Sequence, residues 1–464
     1  MTVKRFRKRM TISWEQGSVL AFTCIFAVAL FGMAALVVDI GRAYHSKADM
    51  QNASDAAALA GADRLPDEEA ALANALDLCE KNGYVQGQDG VNITCIRNPG
   101  GGHPSWYQVE ITKPIDYFLA PILGYDDGLI RTHAAAQITS ALPININGGG
   151  QYGINGIQNL SVFGPYAYYT YGDPRSPKWY DNGQTNPYYN KDGYNFTLDV
   201  PANYQAINGT NQMMVEIFDP ETYNSGDAQD AGVGKCDEIR TAPGSPHQQP
   251  VSKYTTTKYS LYAPDNTPGD YSDDVLIATK TYGPNDKAAT DQKWISPSGY
   301  TVNLSTWGVG TYRINVVTTD GSSENGFNLR AGPPRTTGVP FDPNNGTKID
   351  AIGSLPINFN VSGVVNIELG EIPAEAGGCN VYINKFDTDV GAQSIQYYDD
   401  LGHTWSGQLA SNGTWKLDTL TMPAGYPGSK LHAKYTAGSQ DTSEWEMYFD
   451  GYMPGAPVDL KLVD

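Results

Sequence analysis

The stretch "SVLAFTCIFAVALFGMAALVVDIGRAYHSKADMQNASDAAALAGA", residues 18–62, passes from an apolar run into a polar, alanine-rich segment without a proline. Its first 21 residues, Ser18 to Val38, contain no charged side chain and no Asn, Gln or Pro. As a helix this run would be about 31 Å long, which matches the hydrocarbon thickness of a bilayer. The stretch therefore predicts a transmembrane helix that continues beyond the lipid to residue 62.

A cleaved signal peptide is the alternative interpretation of this run. The apolar region of a signal peptide usually spans about 7 to 15 residues and ends at a small-residue cleavage site. Here the run is longer and leads directly into a helical pattern, so a retained anchor is favoured. Cys24 follows Phe22 and Thr23 deep within the run, which does not fit a lipoprotein site.

Charge is distributed unevenly along the 464 residues. The chain holds 31 Lys and Arg against 50 Asp and Glu, a net charge of −19, which argues against a nucleic-acid-binding protein. Residues 1–17 contain five basic side chains and one Glu, a net charge of +4. Because Lys and Arg beside a span resist translocation, residues 1–17 are predicted to be a cytoplasmic tip. Residues 39–464 of this single-pass protein would then be extracytoplasmic, and the lipid bilayer is its first expected partner.

Small residues recur every four positions on the polar half of the helix, at Ala53, Ala57 and Gly61. Such a face lets another backbone approach closely. We expect it to pack on the chain's own next domain, with an intermolecular contact as the alternative. Asp39 ends the span, and Arg42 can pair with it from the same helix face. A role for Asp39 in helix-to-helix assembly is the alternative.

Four cysteines lie in the predicted extracytoplasmic part, an even number that permits disulfides in an oxidising compartment. Cys79 and Cys95 are near in sequence and fall within one small unit, so we favour a bridge between them. Cys236 and Cys379 form the remaining pair. There is no C-x-x-C motif, and neither spacing indicates a metal site.

The pattern "EQGSVLAF…ALVVDIGRAY…DMQNASDAAALAGA", residues 15–62, resembles the N-terminal region of TadG-like proteins of the tight-adherence (Tad, or Flp) pilus assembly system. These proteins have a Gly-Ser-led apolar helix, a V-D-x-G-R-x-Y segment and an Ala-rich "QNAADAAALAGA" segment. The resemblance implies a membrane-anchored, pilin-like component that works in pilus assembly or envelope anchoring without catalysis. Its partners would be pilus assembly proteins or pilin-like subunits.

Two departures limit what the resemblance implies. A prepilin processing site has a glutamate five residues after a glycine, whereas the fifth residue after Gly17 is Phe22. We therefore do not expect processing at Gly17 or incorporation as a major fibre subunit.

Many TadG-like proteins also carry a von Willebrand A-type domain with an Asp-x-Ser-x-Ser metal site. The nearest string, "DGSSE" from Asp320, ends in Glu324, so this domain is predicted to be absent.

Beyond the long helix, the chain is predicted to be mainly β. Residues 63–142 indicate a small α+β unit that would resemble a pilin head. Its helix lies in "PDEEAALANALDLCEKNGY", between Pro66 and Gly83, and its strands include "VNITCIR" and "SWYQVEITK". "IDYFLAPIL" predicts a short helix, and "LIRTHAAAQITS" a strand or a helix.

After "ALPININGGG", residues 141–150, the composition shifts toward Gly, Pro, Asn, Asp and Tyr. Short alternating runs such as "YNFTLDV", "MMVEIFD", "TYRINVVTT" and "TWKLDTL" predict antiparallel strands separated by turns. A linker-like stretch lies near "RAGPPRTTGVPFDPNNG". We therefore predict two tandem antiparallel β-sandwiches, at residues 143–332 and 333–464.

No motif for catalysis is found, and we expect neither an enzyme nor a cofactor. The six histidines lack nucleophile or zinc spacing, and there is no G-x-S-x-G, H-E-x-x-H or G-x-x-x-x-G-K. A glycan hydrolase would need two carboxylates across a cleft, and the sequence singles out no such pair. Calcium is the metal that the acidic loops could bind, because they supply its oxygen ligands. Acidic turns are also common without a metal; the candidates are Asp342, Asn344 and Asp350 in "DPNNGTKID", and Asp387 and Asp389 in "FDTDVG".

Aromatic residues suggest a second class of function. The chain has 30 Tyr and 8 Trp, with clusters such as "FGPYAYYTYGD" and "YYDDLGHTW" whose rings could stack on glycans. Aromatic residues are also favoured in strands and cores, and packing is the preferred interpretation for most of them. A non-enzymatic TadG-like envelope protein with a β-rich adhesive or interaction region is thus the main hypothesis. A membrane-anchored carbohydrate-binding or cell-wall adhesive protein is the alternative.

Overall fold

The structure is mainly β with one long N-terminal helix, which confirms the predicted class. The computed structural model describes residues 14–463, except for 101–104, 125–126, 147–158, 166–177, 180–182, 223–254, 266, 268–269, 292, 321, 336–346, 360–362, 388–391, 412, 438–440 and 454–455. The chain divides into two compact units. Unit 1 comprises Met1–Ile138 and Leu460–Asp464, and unit 2 comprises Thr139–Asp459.

Unit 1 begins with α1 (Trp14–Ala62), one unbroken helix of 49 residues. The apolar run and the alanine-rich segment therefore belong to the same helix, as predicted, because good helix formers and the lack of proline leave nothing to end it. Helix α2 (Glu68–Lys81) follows. The side chain of its N-cap residue, Asp67, accepts a hydrogen bond from the N–H of Ala70 at 3.0 Å.

Three antiparallel strands follow: β1 (Asn92–Arg97), β2 (Trp106–Asp116) and β3 (Asp127–Ala141). Strand β2 buries alternate residues, including Tyr107, Val109 and Ile111, as a period of two requires. The short helix predicted between β2 and β3 is a single 3-10 helix, Ala120–Leu123. The segment predicted as strand or helix is the strand β3.

Unit 2 is built from short strands with turns between them. In chain order, the strands are β4 (Ile144–Asn145), β5 (Asn159–Phe163), β6 (Tyr194–Val200), β7 (Gln212–Phe218), β8 (Thr256–Tyr262), β9 (Leu276–Tyr282), β10 (Trp294–Ile295), β11 (Thr301–Asn303), β12 (Gly310–Asp320), β13 (Ser322–Gly332), β14 (Lys348–Ile352), β15 (Leu355–Phe359), β16 (Gly363–Ile372), β17 (Asn380–Asp387), β18 (Ala392–Asp399), β19 (Thr404–Ser406), β20 (Thr414–Thr421), β21 (Ser429–Ala437) and β22 (Asp441–Phe449). The last strand of the chain is β23 (Val458–Val463). The described short helices of unit 2 are the α-helices α3 (Tyr204–Asn208), α4 (Lys287–Thr290) and α5 (Leu304–Trp307) and a 3-10 helix, Ala374–Ala376. The alternating runs quoted above correspond to β6, β7, β12 and β20, so these strand predictions are confirmed.

The strands of unit 2 pair in antiparallel sheets. One sheet has the order β4-β14-β6-β12-β8-β9. A second group has the order β22-β15-β5-β13-β7-β10, with β11 also beside β7 and with β17 pairing with both β22 and β20. A third sheet has the order β16-β21-β18-β19.

The boundary predicted between residues 332 and 333 does not separate these sheets. Strands β14 and β15 follow it in sequence, yet they pair with β6 and β5, which precede it. One cluster of buried side chains extends from Leu142 to Phe449 and includes residues from both predicted halves. Periodicity identifies a strand, but the partner of that strand depends on contacts far along the chain. The two series of strands therefore contribute to one hydrophobic core.

Candidate functional site

Asp39 lies where the apolar run of α1 ends, and only 3% of this residue is exposed. Its Oδ1 accepts a hydrogen bond from the N–H of Phe118 at 2.9 Å. Its Oδ2 accepts bonds from the N–H groups of Leu119 at 2.8 Å and Ala120 at 2.7 Å. The first N–H groups of a helical turn have no partner within it, and a carboxylate satisfies them with strong, charge-assisted bonds. Asp39 therefore fixes the β2–β3 connection to α1.

Arg42, the partner suggested by sequence for Asp39, is exposed. No ion pair joins the two side chains in the part of the chain that the structure describes. Both oxygens of Asp39 already accept hydrogen bonds from the backbone at residues 118–120. These donors lie far from Asp39 in sequence, so spacing along the helix could not reveal them.

The small-residue face of α1 is buried within unit 1. Ala53 and Ala57 are fully buried, and Gly61 is also buried. A Cβ atom on Gly61 would lie 2.3 Å from Cδ1 and Cε1 of Tyr107. The absence of a side chain at Gly61 thus lets the aromatic ring from β2 lie directly on the helix backbone.

Polar side chains on the same part of α1 are matched by partners on β3. The hydroxyls of Ser54 and Thr132 are 2.8 Å apart, and the Ser54 hydroxyl is also 3.0 Å from the carbonyl oxygen of Met50. Nε2 of Gln51 donates to the carbonyl oxygen of His133 at 2.9 Å. These bonds satisfy polar groups that would otherwise be costly to bury between the helix and the strand.

The predicted bridge between Cys79 and Cys95 is not formed in this structure, where both residues are free thiols. The thiol of Cys95 is hydrogen-bonded with the hydroxyl of Tyr107 instead. Burial, together with a smaller effect of the nearby Cys95, raises the pKa of the Cys79 thiol to about 12. Cys379 is also a free, buried thiol. Cys236 lies outside the described residues, so its pairing with Cys379 stays a prediction.

Two of the five calcium candidates can be located. Asp350 is buried in β14, and its Oδ2 forms an ion pair with Nζ of Lys348 at 2.9 Å. Asp387 is buried at the end of β17. The other three candidates, Asp342, Asn344 and Asp389, lie outside the described residues. The structure therefore describes one residue of each predicted ligand set. Most of the aromatic cluster at residues 163–173 also lies outside them.

The apolar part of α1 exposes its side chains. Phe22, Phe26 and Phe31 are 73%, 68% and 72% exposed. The most apolar 18-residue window of the helix has a mean hydropathy of 2.5, and none of it is buried. In length and composition, this helix is therefore suited to cross a membrane.

A second exposed apolar group lies beside the end of this run. Phe118, held to Asp39 through its backbone N–H, is 71% exposed, and Leu129 at the start of β3 is 70% exposed. Strand β2 runs from there along α1, because Tyr107, near its other end, lies against Gly61. The two contacts on α1 are separated by about 33 Å at the rise of an α-helix.

Comparisons with known proteins identify one segment. Residues 17–64 match the family described as "Putative Flp pilus-assembly TadE/G-like", which confirms the resemblance seen in this part of the sequence. No protein of curated function matches the chain. Similar solved structures include that of infectious bursal disease virus strain Gx, at 11% identity, covering 58% of this chain and 74% of the viral chain with a TM-score of 0.16.

Two further solved structures have comparably low similarity. The CBM22-1-CBM22-2 tandem domain of Paenibacillus barcinonensis Xyn10C is 9% identical, covering 79% of this chain and 92% of its own, with a TM-score of 0.16. The STIV MCP is 8% identical, covering 68% of this chain and 97% of its own, with a TM-score of 0.17. Likeness at this level carries no argument about function.

Removing the Asp39 carboxylate should free the loop that it holds. We expect Asp39→Ala to accelerate hydrogen exchange at the amides of residues 118–120 by about 10- to 100-fold, since losing a hydrogen-bond partner costs about 1–3 kcal/mol. Mass spectrometry of the full-length protein in detergent measures this exchange. Asp49→Ala removes an exposed carboxylate of the same helix and should leave these amides unchanged. Equal exchange in both variants would show that other contacts hold the loop.

Two glycines of α1 make a matched pair for testing the packing on Tyr107. Gly61→Ala should lower the free energy of unfolding by about 1–3 kcal/mol, because the added methyl group collides with the Tyr107 ring. Gly41→Ala, with no atom within 4 Å of the added Cβ, should be neutral or stabilising by up to about 1 kcal/mol. Thermal unfolding of the full-length variants compares them. If Gly61→Ala matches Gly41→Ala, the close approach of β2 is not a constraint on the fold.

Proposed function

We propose that the chain is a membrane-anchored, non-enzymatic, TadG-like component of the Tad/Flp pilus assembly machinery. The observation that carries the proposal is the exposed apolar run of α1, which lies inside the segment that matches the pilus-assembly family. An apolar helix of this length is unfavourable with its side chains exposed to water. A bilayer would cover these side chains along the whole length of the apolar run.

The charge pattern supports an orientation for the anchor. Five basic residues precede the span and Asp39 directly follows it. Because basic residues are retained on the cytoplasmic side, the N-terminus would be inside and residues 39–464 outside. Their strong net negative charge is compatible with this orientation, because Asp and Glu contribute little to it and long domains are translocated largely regardless of their charge.

Unit 1 would then lie at the outer surface of the membrane as a pilin-like head. Asp39 holds residues 118–120 level with the end of the span, so the exposed ring of Phe118 would sit in the lipid interface. Tyr44, which follows on α1, is 73% exposed and suits the same interfacial zone, where aromatic side chains are enriched. Unit 2, rich in short strands, would serve as the extracytoplasmic interaction or adhesion region.

The position of Phe118 tests the membrane part of the proposal. In full-length protein reconstituted into vesicles, the fluorescence added by Phe118→Trp should be quenched by lipids brominated near the headgroup, after subtraction of the wild-type signal. Ile96→Trp on β1 is the matched control. Ile96 pairs with Gln108, beside Tyr107 and about 33 Å along α1 from Asp39, so its added fluorescence should not be quenched. Equal quenching of both variants, or of neither, would contradict the proposed position of unit 1.

Crosslinking in cells tests the pilus role. A photoreactive residue in place of Leu72, an exposed apolar side chain of α2, should capture pilus assembly proteins or pilin-like subunits that mass spectrometry then identifies. The same variant in cells without the other pilus genes is the control and should lose these products. Capture of cell-wall proteins alone, together with glycan-array binding by the full-length protein, would instead favour the carbohydrate-binding alternative.

A further inference from the structure

Three carboxylates converge in unit 2 at a place that the sequence patterns did not indicate. Asp219 and Glu221 directly follow β7, and Asp291 directly follows α4. One oxygen from each side chain lies within 4.8 Å of those from the other two. Glu221 is fully buried and Asp219 is almost fully buried, whereas Asp291 lies at the edge of the cluster.

Two oxygens of this cluster have no hydrogen-bond partner within the described part of the chain. Oε2 of Glu221 accepts a bond from the hydroxyl of Thr290 at 2.6 Å, but Oε1 of the same fully buried carboxylate is unpartnered. Oδ1 of Asp291 is also buried without a partner. Buried polar atoms are almost always satisfied, so these two oxygens point to a missing ligand.

A cation lies at the partly exposed side of the cluster, where Nζ of Lys287 is 3.7 Å from Oδ2 of Asp291. Another buried carboxylate of unit 2 has two close cations. Glu216 accepts bonds from Arg330 at 2.8 Å and Arg335 at 2.6 Å.

A divalent cation bound between the three carboxylates would occupy the two unpartnered oxygens and would neutralise their negative charge.

We propose that Asp219, Glu221 and Asp291 bind a calcium ion. All three side chains offer oxygen only, which suits a hard cation rather than zinc or copper. Calcium is preferred over magnesium because it exchanges its water readily for several protein oxygens, whereas magnesium retains most of its water. This proposal concerns unit 2 alone and does not depend on the pilus role or on the membrane anchor.

The site would join two segments that are distant in sequence. The loop after β7 already contacts the segment after α4 through the N–H of Asp219, which donates to the carbonyl oxygen of Lys293 at 3.0 Å. The carbonyl oxygen of Glu221 accepts a bond from the hydroxyl of Thr255 at 2.8 Å, next to the start of β8. A calcium ion here would therefore stabilise the fold of unit 2 at the end of its second group of strands.

The proposal is tested on full-length protein in detergent that has first been treated with a chelator. Calorimetric titration then measures calcium binding, and thermal unfolding measures its effect on stability. We expect calcium binding with a Kd of about 0.1–1 mM, the range of extracellular modules. We expect 10 mM calcium chloride to raise the Tm by about 2–6 °C, and magnesium chloride to raise it less.

The variant Glu221→Gln distinguishes this site from any other. It keeps the shape of the side chain but removes one buried charge, so we expect it to abolish the calcium-dependent rise in Tm. In the presence of chelator its Tm should exceed that of the wild type, because the repulsion within the cluster is reduced. Asp291→Asn, a change at the partly exposed edge, should also weaken the calcium response and serves if Glu221→Gln fails to fold.

A second acidic group supplies the matched control. Asp265, Asp273 and Asp274 also lie close together, but Asp273 is exposed and Arg313 pairs with Asp274. Asp273→Asn should therefore keep the wild-type calcium response.

The proposal is overturned if the wild type neither binds calcium nor gains stability from it. This includes the case in which acidification stabilises the protein and calcium does not. It is also overturned if Glu221→Gln and Asp291→Asn both fold and respond to calcium as the wild type does.

Discussion

The three hydrogen bonds from the backbone at residues 118–120 to Asp39 are the contact on which the arrangement of unit 1 depends. A carboxylate at the end of an apolar helix is costly to bury unless its charge is satisfied. Here the backbone N–H groups at the start of a 3-10 helix, which have no partner within that helix, donate hydrogen bonds to the Asp39 carboxylate. The same side chain therefore ends the apolar run and holds the β2–β3 connection, which links the position of the anchor to that of the strands.

Along the rest of α1, the packing depends on the near absence of side-chain volume. Gly61 admits the ring of Tyr107, and the fully buried Ala53 and Ala57 present little more than backbone. The hydroxyl of Tyr107 in turn meets the thiol of Cys95. One aromatic residue thus packs against the helix through its ring and against the neighbouring strand through its polar atom, which is the usual behaviour of buried tyrosine.

Unit 2 shows that periodicity in the sequence predicts where strands lie but not how they pair. Alternation of apolar and polar residues located strands such as β6, β12 and β20, because a half-buried strand requires that pattern wherever its partner lies. The same pattern does not specify the partner. Strands β14 and β15 pair back to β6 and β5 across the linker-like stretch, and the very short strands β4 and β10 have too few residues to show any period.

By itself, the sequence determined the long helix, the apolar run within it and the mainly β class. It also determined the match of residues 17–64 to a family of pilus-assembly proteins. These features are local, since helix propensity, hydrophobicity and motif spacing are properties of neighbouring residues. Only the tertiary structure decided that residues 118–120 are the partners of Asp39 and that Tyr107 covers Gly61. It also brought together Asp219, Glu221 and Asp291, because contacts between distant segments arise from the packing of the whole chain.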